Sequence, residues 1–428
     1  MKSVYYNDGT KVRYIIPDFL RGIAVMGICL ANFPEFALYT FQTPETMASM
    51  PTAGIDTVVK YLQYIFIDGK FYTIFSILFG LGFAIILTNA VKNSKNGLLI
   101  FYRRMTILLL IGLFHLICLW AGDILILYAL LGLFLPLFRN LPDKKLLVIA
   151  AILLLLPVLV DSCIACFGWD LSAPVVRATL HFHAKAGITN ENFPVWLVQA
   201  NDYGEVLRFN VAGAFIRMQE FIEGNRYFKV MGLFLIGYAI GRRRFYATLS
   251  EYKPALRTIR NLCFLIGLPL SLVYAWNMMN GAPCGLTGSA ALYAFSVFPL
   301  SFAYISAICL VYERFTERRQ KQSVTNSPDV PGKTGIDVFQ IVAASGRMAV
   351  TNYLMQSAFG ILIFYSIGWG LGAKTGLVHV EWIAFAVFVF QVIYSNLWLR
   401  YFRYGPVEWV WRMLTYGKRI NIKVLSTN

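Results

Sequence analysis

Ten apolar runs follow one another along the chain, at roughly residues 15–34, 70–90, 98–120, 123–140, 146–166, 226–241, 258–279, 287–312, 340–369 and 381–402. At the rise of about 1.5 Å per residue of an α-helix, runs of this length cross about 30 Å of hydrocarbon. The pattern predicts an all-α protein, a polytopic membrane bundle with about ten transmembrane helices. The first run carries charges within it and no A-x-A site follows, so it does not read as a cleavable signal peptide. The sixth is short, and the amphipathic stretch 205–224 before it is a candidate extension.

The runs divide the chain. Five of them make an N-terminal membrane bundle, residues 1–166, and five make a C-terminal one, residues 226–403. Between them lies an outer-face excursion, 167–225, with the amphipathic segment EVLRFNVAGAFIRMQEFIEG. A polar linker, 313–338, containing ERFTERRQKQSVTNSPDVPGKTG, interrupts the second bundle as a mobile cytoplasmic loop. In the tail, 404–428, Pro406 stands at a first helical position with Trp409, Trp411 and Met413 behind it, which predicts a short interfacial helix.

Composition agrees with a membrane setting: 58% of residues are hydrophobic and 14% charged, where a soluble domain carries about a quarter charged. The charge changes the picture more. With 38 Lys+Arg against 22 Asp+Glu, a soluble chain of this balance would point to nucleic acid. Here the bases cluster in short loops between apolar runs, which is the positive-inside pattern and not a polynucleotide groove. Placing the N-terminus in the cytoplasm puts Lys92, Lys95, Arg103 and Arg104 inside, with Arg139, Lys144, Lys145, Arg242, Arg243 and Arg244. Arg314, Arg318, Arg319 and Lys321 join them, as do Arg400, Arg403, Lys418 and Arg419 in the tail. Only scattered bases, such as Lys70, Arg177, Lys185 and Lys374, fall outside. Both termini are therefore expected in the cytoplasm.

Cysteines add no chemistry. Cys29, Cys118, Cys263 and Cys309 sit in apolar runs as small hydrophobes. Cys163 and Cys166 form a C-x-x-C ahead of His181 and His183, but no second pair follows and no metal site is expected.

Ionisable groups inside the runs are the candidates for function. PDFLRGIAVMGICLAN opens with Asp18 in a first helical turn, where the helix dipole favours an acid. Arg21 is three residues on, able to pair with it, and Asn32 closes the run. In GLFHLICLWAGDILILYALLG, His115 lies about 16 Å along the helix from Arg104 and about 10 Å short of a turn near Ala121 and Gly122. That depth calls for a protein interior or a wet cavity around the ring. Folding the hairpin sets Tyr128 opposite His115, as a candidate hydrogen-bond partner. Asp123 is either an orienting acid for a nearby base or simply the cap of the next helix.

In AASGRMAVTNYLMQSAFG, Asn352 and Gln356 share a face at i,i+4, either as helix glue or as pocket groups. Arg347 at the cytoplasmic end can snorkel. Asp68 and Lys70 flank Gly69 at an outer mouth, where a break lets residues 57–68 run along the membrane surface.

PDFLRGIAVMGICLAN, GKFYTIFSILFGLGFA, RRMTILLLIGLFHLICLWAGDILILYALLG, GRMAVTNYLMQS and YGPVEWVWRMLTYGK occur in that order. Together they resemble the YeiB-type family of bacterial inner-membrane proteins, grouped under a numbered domain of unknown function. The resemblance covers nearly the whole chain and implies a multi-pass protein of the cytoplasmic (inner) membrane. More distantly, Asp18, Arg21, Gly22 and Asn32 are similar to the opening Asp-x-x-Arg-Gly helix of transmembrane acyltransferases of the heparan-glucosaminide acetyltransferase type. Those enzymes place a histidine just after the first span, and PEFALYTFQTPETMASM has none.

The resemblance implies an acyl group taken from cytosolic acyl-CoA to a small-molecule or glycan acceptor across the membrane. Arg21, Arg103, Arg104 and Arg347 then face the CoA phosphates, beside Asp18. His115 serves as base, since an imidazole can take a hydroxyl proton near neutral pH; His379 is a weaker candidate. Asn32, Asp68, Lys70, Tyr128, Asn352 and Gln356 are expected to line the pocket. Two alternatives compete: a transporter or permease with Asp18, His115 and Asp123 on its path, and a non-catalytic envelope-assembly protein docking through 167–224.

Overall fold

The computed structural model describes residues 4–5, 12–92, 96–325 and 337–424. It is an all-α bundle; a two-residue ribbon pairing Val4–Tyr5 with Val12–Arg13 precedes the first helix. In chain order the helices are α1 (Ile15–Phe36), α2 (Pro44–Ser49), α3 (Ala53–Phe66), α4 (Lys70–Lys92), α5 (Gly97–Phe114) and α6 (Leu125–Phe134). There follow α7 (Asp143–Phe167), α8 (Ala173–Ala186), α9 (Trp196–Gln199), α10 (Tyr203–Glu223), α11 (Arg226–Arg242) and α12 (Lys253–Met279). The last are α13 (Gly285–Thr325), α14 (Val338–Arg347), α15 (Ala349–Phe364), α16 (Leu377–Tyr401) and α17 (Pro406–Tyr416).

Every predicted apolar run is helical. Among the described residues, seven helices are long and apolar enough to cross a membrane, counting α3 and α4 together across Gly69. Arg226–Arg242, Leu125–Phe138 and Ala349–Phe364 are shorter pieces.

The structure departs from the sequence reading where local chemistry cuts a run or extends one. Gly69, at φ +73°, divides α3 from α4, as its position between two charges predicted. The expected single run 340–369 is instead two helices, because the backbone leaves helical geometry at Met348. The linker begins as helix: residues 313–325 continue α13, while 326–336 lie outside the described residues, as do the side chains of Lys92, Lys95 and Lys321. The amphipathic stretch 205–224 is no extension of the next span, since Asn225 adopts a left-handed conformation (φ +48°) between α10 and α11.

Small residues let the helices approach. A Cβ on Gly237 of α11 would stand 1.8 Å from the Ile77 carbonyl oxygen of α4, and one on Gly80 would stand 2.0 Å from the Phe234 carbonyl oxygen. Likewise a Cβ on Gly346 of α14 would meet the Asp18 carbonyl oxygen of α1 at 1.8 Å. Without a hydrophobic drive between helices in lipid, such backbone proximity and van der Waals contact hold the pairs.

Basic residues of the loops expected in the cytoplasm meet in pairs. The Tyr238 hydroxyl donates to the Arg139 carbonyl, Arg242 to that of Leu141, and Arg347 to that of Arg403. Replacing Gly237 by Val should therefore separate α4 from α11, at a cost of about 1–3 kcal/mol or more. Thermal unfolding in detergent checks it.

Candidate functional site

The polar centre of the bundle forms where α5 ends. After Phe114 the helix widens into a single π turn, His115–Leu119, closed by the Trp120 amide on the His115 carbonyl at 2.8 Å. Trp120 is then extended (φ −155°, ψ 130°), and its indole folds over Gly122, where a Cβ would lie 2.1 Å from the ring. Such turns are uncommon and concentrate at functional sites. They also free carbonyls from the helical ladder, and buried carbonyls need donors.

Helix α10 supplies them. Asn210, fully buried, donates from Nδ2 to the carbonyls of Ile117 (3.1 Å) and Leu119 (3.2 Å). The Tyr203 hydroxyl donates to the Cys118 carbonyl, and Arg217 Nε donates to Ala121 at 3.4 Å. A Cβ on Gly213 would press on Ala121 at 2.8 Å, so α10 lies directly on the turn.

The turn aims His115 inward. Its Nδ1 is 2.8 Å from Asp123 Oδ1, and its Nε2 is 2.7 Å from Ser357 Oγ. His115 is 0% exposed, and Asp123 and Ser357 1% each. A carboxylate accepts only, so Asp123 fixes the proton on Nδ1 and leaves the Nε2 lone pair facing the Ser357 hydroxyl. Asp123 also takes the Ile126 amide on Oδ2 at 2.7 Å, so it is an orienting acid and a helix cap at once. Tyr353, one turn before Ser357 on α15, sets its ring 4.9 Å from the imidazole centroid. Arg217, held by Glu220 at 2.6 Å and Glu35 at 3.6 Å, lies within Coulombic range of Asp123.

The helices carrying Ser357 and His115 are joined at the basic end by α17. The Glu408 carboxylate accepts from the Val350 amide (2.8 Å), the Thr351 amide (3.0 Å) and the Thr351 hydroxyl (2.6 Å), capping the first turn of α15. Trp411 Nε1 donates to the Arg104 carbonyl at 2.9 Å, with the Arg104 guanidinium 3.8 Å from its ring centroid.

Residues 240–418 match the family model described as a protein of unknown function (DUF418). Three relatives extend the likeness over the rest. Uncharacterized protein YxaH of Bacillus subtilis is 29% identical over 95% of this chain and 95% of its own. Uncharacterized protein YeiB of Escherichia coli is 28% identical over 94% and 96%. An uncharacterized 39.9 kDa protein of Bacillus acidopullulyticus is 25% identical over 95% and 94%. Over residues 240–418 the chain matches that family, and over nearly its whole length it is similar to these relatives. No solved structure matches it.

The predicted residues fall into separate groups. His115 and Asp123 come together as described. Asp18 and Arg21 pair at 2.7 Å. Asn352 and Gln356 work as helix glue: Asn352 Nδ2 donates to the Ser345 carbonyl and Ser395 Oγ, and Gln356 Nε2 to the Val25 carbonyl and Gln391 Oε1.

Tyr128 is not the partner of His115. It packs between Phe79 and Phe234, and its hydroxyl bonds Ser76 Oγ at 2.5 Å, because that face of α6 meets α4 and α11. Asp68 accepts from the Tyr274 hydroxyl, and Lys70, fully buried, donates to the Tyr64 carbonyl. Arg103 and His379 are exposed, and Asn32 makes no side-chain hydrogen bond among the described residues. Ser357 escaped the sequence reading. Its neighbour Gln356 drew attention, but nothing local ties Ser357 to a histidine 242 positions away.

Asn210→Leu should strip both carbonyls of the turn of their donor. Each buried carbonyl left unsatisfied costs about 1–3 kcal/mol. A clear fall in detergent melting temperature is the expected readout.

Proposed function

We propose that this chain is a membrane acyltransferase in which Ser357 carries the acyl group. The observation that supports the reading is the continuous hydrogen-bonded array of Ser357, His115 and Asp123, the arrangement by which acyl transfer recurs on unrelated folds. Acyl-CoA is the proposed donor, approached from the basic end where Arg21, Arg104 and Arg347 lie. A hydroxyl of an envelope glycan or small molecule is the proposed acceptor. The meeting of basic residues from loops expected in the cytoplasm supports ten crossings with both termini in the cytoplasm and residence in the bacterial inner membrane.

The chemistry balances in two half-reactions. Ser357 Oγ attacks the thioester carbonyl as His115 Nε2 takes its proton. The C–S bond breaks, and the CoA thiolate leaves with the proton from His115, giving a Ser357 ester. The acceptor hydroxyl then attacks that ester, its proton passing to His115 and on to Ser357 Oγ. Asp123 holds the ring through both steps. The Tyr353 hydroxyl, one turn from Ser357, is the proposed donor to the developing oxyanion. Because all three residues are buried, the site must open for substrate to enter.

The break between α14 and α15 at Met348 favours a second reading, transport, since discontinuous helices line substrate sites in transporters. Purified protein incubated with alkyne-tagged acetyl-, octanoyl- and palmitoyl-CoA separates the two. Acyl transfer predicts a hydroxylamine-sensitive label on Ser357, absent in Ser357→Ala and about 100-fold slower or worse in His115→Gln. Equal labelling of folded Ser357→Ala, or no label on the parent protein, would overturn the assignment.

A further inference from the structure

A cleft of about 100 Å³ opens between the start of α12 and the facing stretch of α13, built from residues the acyl-transfer reading does not use. Lys253, Arg257 and Arg260 line it from α12, and Leu310, Arg314 and Glu317 from α13. Their spacing explains the gathering. Each set stands at i, i+4 and i+7 on its helix, so each forms one stripe, and the two stripes face each other. Leu310, which is buried, makes the apolar floor.

The lining is strongly unbalanced in charge. Its one acid, Glu317, is taken by the Lys253 ammonium, which also lies 3.9 Å from Glu313. Arg260 turns its guanidinium to the neutral Asn261 side-chain oxygen at 2.8 and 3.0 Å. Among the described residues no carboxylate stands at ion-pair distance from Arg257, Arg260 or Arg314. Three guanidinium groups around one cleft repel each other, and the first turn of α12 adds the positive end of a helix dipole. An anion set among them relieves that repulsion.

The surroundings indicate which anion. One to two turns further along α12, Leu262, Leu265 and Ile266 are exposed, Leu265 by 72%, and Val311 is exposed on α13 beside Arg314. On long apolar helices such faces meet lipid hydrocarbon. The cleft therefore stands where charged side chains give way to acyl-chain contact, on the side to which the basic loops assign the cytoplasm. A phospholipid uses both features, its phosphate in the cleft and its chains on the apolar face. A soluble anion would use only the first.

We propose that this cleft binds the phosphate of an anionic phospholipid, with Arg257, Arg260 and Arg314 on its oxygens and the acyl chains along the exposed face of α12. The arginine fork suits a phosphate because it gives two parallel hydrogen bonds. Basic clefts between spanning helices on the cytoplasmic side are the places where anionic headgroups are held.

The test uses full-length protein in neutral detergent, titrated with phosphatidylglycerol. Phosphatidylcholine is the zwitterionic comparison and glycerol phosphate the chainless one. Bound ligand is counted by native mass spectrometry, and melting temperature is followed alongside. The parent should retain phosphatidylglycerol in preference to phosphatidylcholine and not respond to glycerol phosphate.

Arg257→Gln/Arg314→Gln should bind phosphatidylglycerol about tenfold more weakly or worse. Both side chains are exposed and outside any ion pair among the described residues, so the fold should stand. Lys418→Gln/Arg419→Gln, which removes two exposed bases expected on the same side, should bind like the parent. Glu317→Gln should bind more tightly, because it removes the acid of the lining and releases Lys253 toward the phosphate. Damaged packing cannot imitate that gain. Equal binding by parent and Arg257→Gln/Arg314→Gln, an equal loss in the tail variant, or an equal response to glycerol phosphate overturns the proposal.

Discussion

In hydrocarbon, a backbone carbonyl freed from its helix has no water to turn to, so the protein must supply its donor. The end of α5 is where this chain meets that constraint most sharply. The π turn at His115–Leu119 and the extended Trp120 free a run of carbonyls deep in the fold. Asn210, Tyr203 and Arg217 of α10 return the donors from one helix face. The 167–225 excursion is therefore part of the bundle's internal hydrogen bonding. It holds the turn, the turn aims His115, and the array with Asp123 and Ser357 follows from that aim.

A second requirement is registry between helices far apart in sequence. His115 ends α5 and Ser357 rides on α15, so a helical slip of one residue, about 1.5 Å, would break a 2.7 Å contact. The interfacial helix α17 opposes such a slip at the other end. Glu408 fixes the start of α15 by its amides, while Trp411 grips the Arg104 carbonyl of α5. An acid at a helix N-terminus is favourable by the dipole as well as by hydrogen bonds. Here the acid comes from another helix, so capping and inter-helix bracing are the same interaction.

These interactions explain what could be read from the sequence. Hydropathy located every apolar run, because a helix crossing lipid must be long and apolar whatever its neighbours. Asp18 with Arg21, and Asn352 with Gln356, were legible as local spacings. The positions of Gly69 and Pro406 revealed a break and a helix start, both set by backbone preference. Met348 carries no such signal, and its kink depends on the Glu408 cap and the contact of Gly346 with α1. Tyr128 was misassigned for a related reason. Hairpin geometry sets which residues are level, whereas neighbouring helices decide which way each face turns. Ser357 needed both pieces of information, and neither is local.

Burial gives the array its properties as well as its shape. With His115, Asp123 and Ser357 almost wholly enclosed, water cannot compete for the hydroxyl or intercept the proposed ester on it. For the proposed reaction the same enclosure requires an element to move before substrate enters. α10 is the element suited to move. It crosses the end of the turn, bears polar and charged residues on its contact face, and is joined to α11 through the left-handed Asn225. Its grip includes hydrogen bonds donated to carbonyls, a role that hydroxyl donors of the proposed acceptor substrate can take over. The glycine-packed pairs of α1 with α14 and α4 with α11 have no such exchange available.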